Sequence, residues 1–176
     1  ALADNTTGGS NVAAGYLAMY KNTTGTENVA VGALSLKLLT TSSRNVAVGY
    51  RAMEDSTTAQ DTVAVGYAAL TNNTTGNYNT AVGSEALVNN TTADNNTAVG
   101  EHALRENSTG AKNTAVGTNA LYANTTASDN VAVGYNALTA NTTGARNTAV
   151  GREALDTQTT ADDNTTVGYQ AGQAIT

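Results

Sequence analysis

Apolar and polar residues alternate along this chain on a fixed seventeen-residue cycle, with no insertion or deletion from end to end. The cycle can be counted from the Asn of its Asn-Thr/Val-Ala-Val-Gly segment. Units then begin at Asn11, Asn28, Asn45, Thr62, Asn79, Asn96, Asn113, Asn130, Asn147 and Asn164. Position five is Gly in every unit, from Gly15 to Gly168, and position four is Val from Val31 to Val167, with Ala14 in the first. Position three is Ala except at Thr166, and position eight is Ala except at Ser35. Position nine is Leu or Met in nearly every unit, and both Met residues, Met19 and Met53, fall in that column. A short fixed period of this kind marks a stacked, quasi-one-dimensional fold.

The Val-rich triplet before the Gly has strand propensity and a period of two. Positions two and four therefore share one face and the Ala of position three takes the other. The recurring Gly reads as a corner that needs positive φ or a close backbone approach. Val of position four and Leu of position nine are the expected interior, each contributing roughly 1.5–3 kcal/mol when buried. On that reading the Ala column faces out, where a methyl group lets another backbone come close. Two short strands per coil are expected, one at Asn-Thr-Ala-Val and one around Ala-Leu or Thr-Thr.

Asn at positions one and twelve, and Thr at thirteen and fourteen, suit bends and stacked hydrogen-bonded ladders. Positions six, seven, ten, eleven, sixteen and seventeen vary freely and are read as solvent-facing. Position seventeen alternates in sign, through Arg44, Asp61, Lys112, Asp129, Arg146 and Asp163, which places each base one coil from an acid. Such a pattern keeps like charges apart and fixes register. These observations predict an all-β chain: one parallel β-solenoid domain over residues 1–176, of about ten coils. Helical repeats fit poorly, because every unit carries Asn, Thr and Gly.

Composition narrows the function. The net charge of −6 argues against a nucleic-acid partner. No apolar run is long enough to span a bilayer. The absence of Cys excludes disulfides. Ala1 is not an initiator Met and no signal peptide is visible, so the chain reads as processed or as part of something longer. One Leu and one Val per coil make a thin core, and no polar capping helix is evident at either end. Both features point to lateral association, with neighbouring segments covering the ends.

Asn79-Thr-Ala-Val-Gly83 followed by Ser84-Glu-Ala-Leu87 resembles the head repeats of trimeric autotransporter adhesins of the YadA-like kind. The closing Val167-Gly-Tyr-Gln-Ala-Gly172 is similar to repeats of phage tail fibres. The resemblance runs the length of the chain. It implies a left-handed parallel β-roll with three chains about a threefold axis, in which Asn79, Ala81, Val82 and Gly83 match the strand and corner. The seventeen-residue unit is longer than the usual adhesin head repeat, which implies a larger outer loop.

The leading functional expectation is an extracellular homotrimeric fibre, an adhesin head or tail-fibre shaft on a cell surface or virion. It would present repeated columns to a glycan or protein receptor, with weak contacts added through multivalency. A second expectation is a purely structural filament stacked end to end. A third is ice binding by the Thr columns, although adjacent Thr residues do not both point outward from one strand. Catalysis is not expected. The single His, His102, lies in variable column seven with no partner at ligand spacing. Asp162 and Asp163 read as a solvated loop without the converging oxygens that calcium needs. No cofactor or metal site is expected, no catalytic residue is singled out, and the sequence does not name receptor-binding residues. Asn-x-Thr triplets such as Asn22-Thr-Thr24 and Asn141-Thr-Thr143 match glycosylation acceptors, but they follow from the repeat.

Overall fold

A computed structural model describes residues 1–173. The chain is a parallel β-solenoid of ten three-residue strands, hydrogen-bonded in sequence order, and the described residues contain no helix. The strands are β1 (Val12–Ala14), β2 (Val29–Val31), β3 (Val46–Val48), β4 (Val63–Val65) and β5 (Thr80–Val82), then β6 (Thr97–Val99), β7 (Thr114–Val116), β8 (Val131–Val133), β9 (Thr148–Val150) and β10 (Thr165–Val167). Each pairs in register with the residues seventeen positions on, so Ala81 lies over Ala98 and Val82 over Val99. Ten strands span about nine full coils.

One strand forms per coil, not two. The Ala-Leu and Thr-Thr segments are turns and bends, although they too bond from coil to coil. The Leu104 N–H donates to the Ala120 carbonyl at 3.0 Å, and the Thr74 N–H to the Thr91 carbonyl at 2.9 Å. The second strand fails because residues on either side of that stretch adopt left-handed backbone. Positions seven, nine and seventeen hold φ between 47° and 64° throughout, in thirty non-glycine residues. The Gly corner meets its expectation with φ from 130° to 141°. A Cβ on Gly83 would strike the Gly100 carbonyl of the next coil, so close stacking and φ both require Gly there.

The faces of the strand are the reverse of the expected ones. Ala81, Ala98 and Ala115 are 0% exposed, whereas Val82, Val99 and Val116 are each 37% exposed. The interior is built from Ala of positions three and eight with Leu or Met of position nine, joined by Leu39. The physical reason is width. A coil of seventeen residues closes tightly, and a Leu pointing inward from the left-handed position nine leaves room opposite it for a methyl group only. The last coil shows this trade directly: position three becomes Thr166 and position nine becomes Gly172, and a Cβ on Gly172 would meet the methyls of Thr166 and Leu155.

Left-handed backbone costs a non-glycine residue roughly 1–2 kcal/mol. Burying a Leu or Met returns roughly 1.5–3 kcal/mol. At position nine, burial and the coil-to-coil hydrogen bond offset the strain, which explains why Leu, and not Gly, occupies it.

Enlarging Ala98 to Leu is expected to cost about 1–3 kcal/mol through overpacking. Val99→Thr should stay within about 0.5 kcal/mol. Urea unfolding of both variants checks the assignment of faces, and equal costs would contradict it.

Candidate functional site

Two internal ladders hold the coil in shape beneath its surface columns. At position one, each Asn accepts from the backbone N–H of the Asn one coil on, as with Asn96 to Asn79 and Asn113 to Asn96, both 2.9 Å. The same side chains donate through Nδ2 to a carbonyl of position fifteen, as Asn113 does to Ala127 at 2.8 Å. At position twelve, Asn107 Nδ2 donates both to Asn90 Oδ1 at 3.0 Å and to the Gly110 carbonyl at 2.9 Å. Asn124 repeats this toward Asn107 and Ala127 at 2.8 and 3.1 Å. Buried amides are tolerated because nearly every donor and acceptor has a partner. These Asn side chains, including Asn22 and Asn141, are fully buried. Their Asn-x-Thr triplets are therefore closed to a glycan in the folded chain.

The Thr columns divide. Position-thirteen hydroxyls turn onto the backbone, as Thr74 Oγ1 does to the Thr91 carbonyl at 2.9 Å. The position-fourteen threonines are all exposed, from Thr7 to Thr160. A single hydroxyl column thus reaches solvent where the sequence offered two.

The strand face carries the largest uncharged surface. Position two contributes Val or Thr and position four contributes Val, all pointing outward from the flat sheet. Position six lies two residues on, past the Gly corner. Val48, Val65, Val133 and Val150 are half-buried where position six is Tyr50, Tyr67, Tyr135 or Arg152. Val31, Val82, Val99 and Val116 are exposed where it is Ala33, Ser84, Glu101 or Thr118. Tyr50 and Tyr67 stack with ring centroids 5.7 Å apart, and Arg152 sits against both Tyr135 and Tyr169. The centre of the face, Val82-Val99-Val116 beside Thr80, Thr97 and Thr114, is left uncovered.

The charged columns form coil-to-coil pairs. Arg44 meets Asp61 and Arg146 meets Asp163, each through Nε at 2.6 Å, as the alternating column predicted, whereas Lys112 and Asp129 of the same column form no ion pair among the described residues. Lys37 reaches Glu54 at 3.1 Å, and Arg51 also donates to it. His102, the one histidine, is half-buried, with Nε2 3.7 Å from Glu85 Oε2. Arg105 bonds the same Glu85 oxygen at 2.8 Å and also contacts Glu106 and Tyr122. This is a surface ion-pair network; no cluster of three acidic, His or Cys residues suited to a metal occurs among the described residues. Asp162 and Asp163 both bond Arg146, which leaves neither carboxylate free to converge on a cation. No ligand-sized cavity opens among the described residues.

Hydrogen bonds from Arg44 and Arg146 hold the Asp61 and Asp163 carboxyls below their usual range. Glu153 is lowered by Gln170 and Arg152. Burial opposes ionisation of Glu54, but the bonds from Arg51 and Lys37 outweigh it and lower its pKa too. A carboxyl with a lowered folded pKa stabilises fully above its unfolded value and loses that contribution as pH falls through the folded one. Thermal midpoints should therefore hold down to about pH 5 and fall below about pH 4. Replacing Asn107 with Ala, which strands Asn90 Oδ1 and an Asn124 donor, should cost about 2–4 kcal/mol in urea unfolding.

Neither a protein-family model, nor a curated protein, nor a solved structure matches this chain.

Proposed function

We propose that the chain is the shaft or head segment of an extracellular homotrimeric fibre, of the adhesin or tail-fibre kind, that recognises a surface glycan or protein through its variable columns. The observation that carries this reading is the bare aliphatic face of the sheet. Parallel sheets are found almost only with both faces covered. Here the Ala-Leu interior covers one face, and Val82, Val99 and Val116 leave the other open. That face carries no charge at positions two or four along its whole length. Copies laid side by side would cover it and supply the burial that a thin core lacks. This differs from the Ala-mediated contact expected from sequence: the Val and Thr columns, not the Ala column, would meet the neighbouring chains.

The variable columns then remain outside. They repeat on every coil, so many weak contacts can act together on a repetitive surface. The ice-binding reading is less well supported, since the position-thirteen hydroxyls donate to backbone carbonyls and only the position-fourteen column is free.

Mass photometry of the purified chain should give three chain masses, and a clean monomer at micromolar concentration would overturn the proposal. Val99→Asp, at an exposed site, should yield a folded monomer with an unchanged circular dichroism spectrum. A Val99→Asp protein that still trimerises would place the contact on another face.

A further inference from the structure

The rod is not uniform along its axis. The position-twelve ladder runs from Asn5 to Asn22 and again from Asn73 to Asn141, but Leu39 and Ser56 interrupt it between. As a result Asn22 Oδ1 and Ser56 Oγ are buried without partners. The position-one ladder crosses from Asn28 to Asn45 intact, the Asn45 N–H donating to Asn28 Oδ1 at 2.9 Å, and falters one coil later. Thr62 turns its hydroxyl onto the Gln60 carbonyl at 3.0 Å, whereas Asn79 takes up the ladder again by accepting from the Asn96 N–H.

The backbone reports the same place independently. The Thr40 N–H to Thr57 carbonyl bond is 3.3 Å, against 2.8–3.1 Å at every other step of that column. The Asp61 N–H to Ser43 carbonyl bond is 3.4 Å, against 3.1–3.2 Å at the other steps of its own column. Both cross the step between residues 28–44 and residues 45–61. The interruption of the ladder at Gln158 shares the orphaned oxygens, on Asn141 and Gln158, but not the long backbone bonds: the Thr142–Thr159 bond is 2.8 Å and Asn164 still bonds Asn147 at 3.0 Å.

Two ion pairs bridge the slack step. Lys37–Glu54 lies on one side of the coil and Arg44–Asp61 on the other. The exposed Arg44–Asp61 pair weakens as salt screens it, and Lys37–Glu54 does so less because Glu54 is buried, whereas the position-twelve Asn ladder they stand in for is buried and unscreened.

We propose that this step is a preset opening joint, at which the rod separates into an N-terminal block ending near Arg44 and a C-terminal block beginning near Met53, with the two ion pairs as its clamp. Coils interact only with their neighbours, so one weak step divides the rod into two cooperative units. The N-terminal block, with few coils to support it, loses its protection as a unit once the joint opens. The joint is a property of the single chain and stands whether or not the trimer forms.

Hydrogen exchange followed by mass spectrometry on the whole chain tests this. Amides of residues 12–44 should exchange together, about tenfold or more faster than those of residues 80–150. The difference should grow at high salt and in Arg44→Gln, which removes a clamp without touching the interior. Leu39→Asn with Ser56→Asn, which makes the ladder continuous, should abolish the boundary. Should the double variant fold poorly, Arg44→Gln and the salt series decide alone. A smooth rise in protection from the end of the rod inward, unaltered by salt and by Arg44→Gln, would overturn the joint, as would a boundary that persists in a well-folded double variant.

Discussion

Everything in this molecule answers to one requirement: each backbone N–H and C=O must find a partner, on the coil above or below or, at positions eight, ten and twelve, three residues back in its own turn. A helix satisfies its peptide groups locally and a sheet does so across strands of choosable length. A seventeen-residue coil has three strand residues and must bond its bends the same way. Unpaired buried peptide groups are too costly to leave. The left-handed residues follow from this. At positions seven and seventeen the turned peptide presents its N–H to the preceding coil, as His102 does to Ser84 at 2.9 Å and Lys112 to Asp94 at 3.2 Å. At position nine it presents its N–H to the following coil and sends Leu inward. Strain in single residues is accepted so that the axial network stays whole.

The side chains extend that network. Asn serves where a backbone group at a bend has no coil-to-coil partner, because its amide both donates and accepts. Stacked at identical positions, the amides satisfy one another as well as the bends. Shape follows from the same closure: the interior is narrow, so Ala lines the strand and one Leu per coil fills the remainder. The larger Val side chains are displaced to the outer face, and the surface that could meet another chain arises from what the interior has no room to hold.

Much of this was legible in the sequence. The period gave the parallel solenoid, the invariant Gly gave the corner, and the alternation at position seventeen gave the Arg44–Asp61 and Arg146–Asp163 pairs. The inside and outside of the strand were not legible. Hydrophobicity ranks Val above Ala, but available volume decided the matter, and volume depends on how tightly the coil closes. The left-handed columns left almost no trace either. Leu and Met at position nine carry no turn signature; only the scattered Asn95, Asn119, Asn136, Asp61, Asp129 and Asp163 at positions seven and seventeen hint at αL backbone. The candidate surface was half visible. Position six was placed as variable and outward, but Val of position four was placed inside, and the stacking of Tyr50 on Tyr67 emerged only in the folded chain. The single hydroxyl column likewise appeared only when the position-thirteen side chains were seen turning inward onto carbonyls.

In-register stacking also separates two properties that most folds tie together. In a globular domain, an insertion of seventeen residues must be absorbed by a loop or it disrupts the core. Here the duplicate of any coil meets, above and below, surfaces built like its own. Reach is thus set by the number of coils and chemistry by the letters in the outer columns, and neither constrains the other. A lineage carrying such a chain can lengthen or shorten it by recombination between its own repeats, and can redraw its surface one column at a time, with the axial scaffold unchanged.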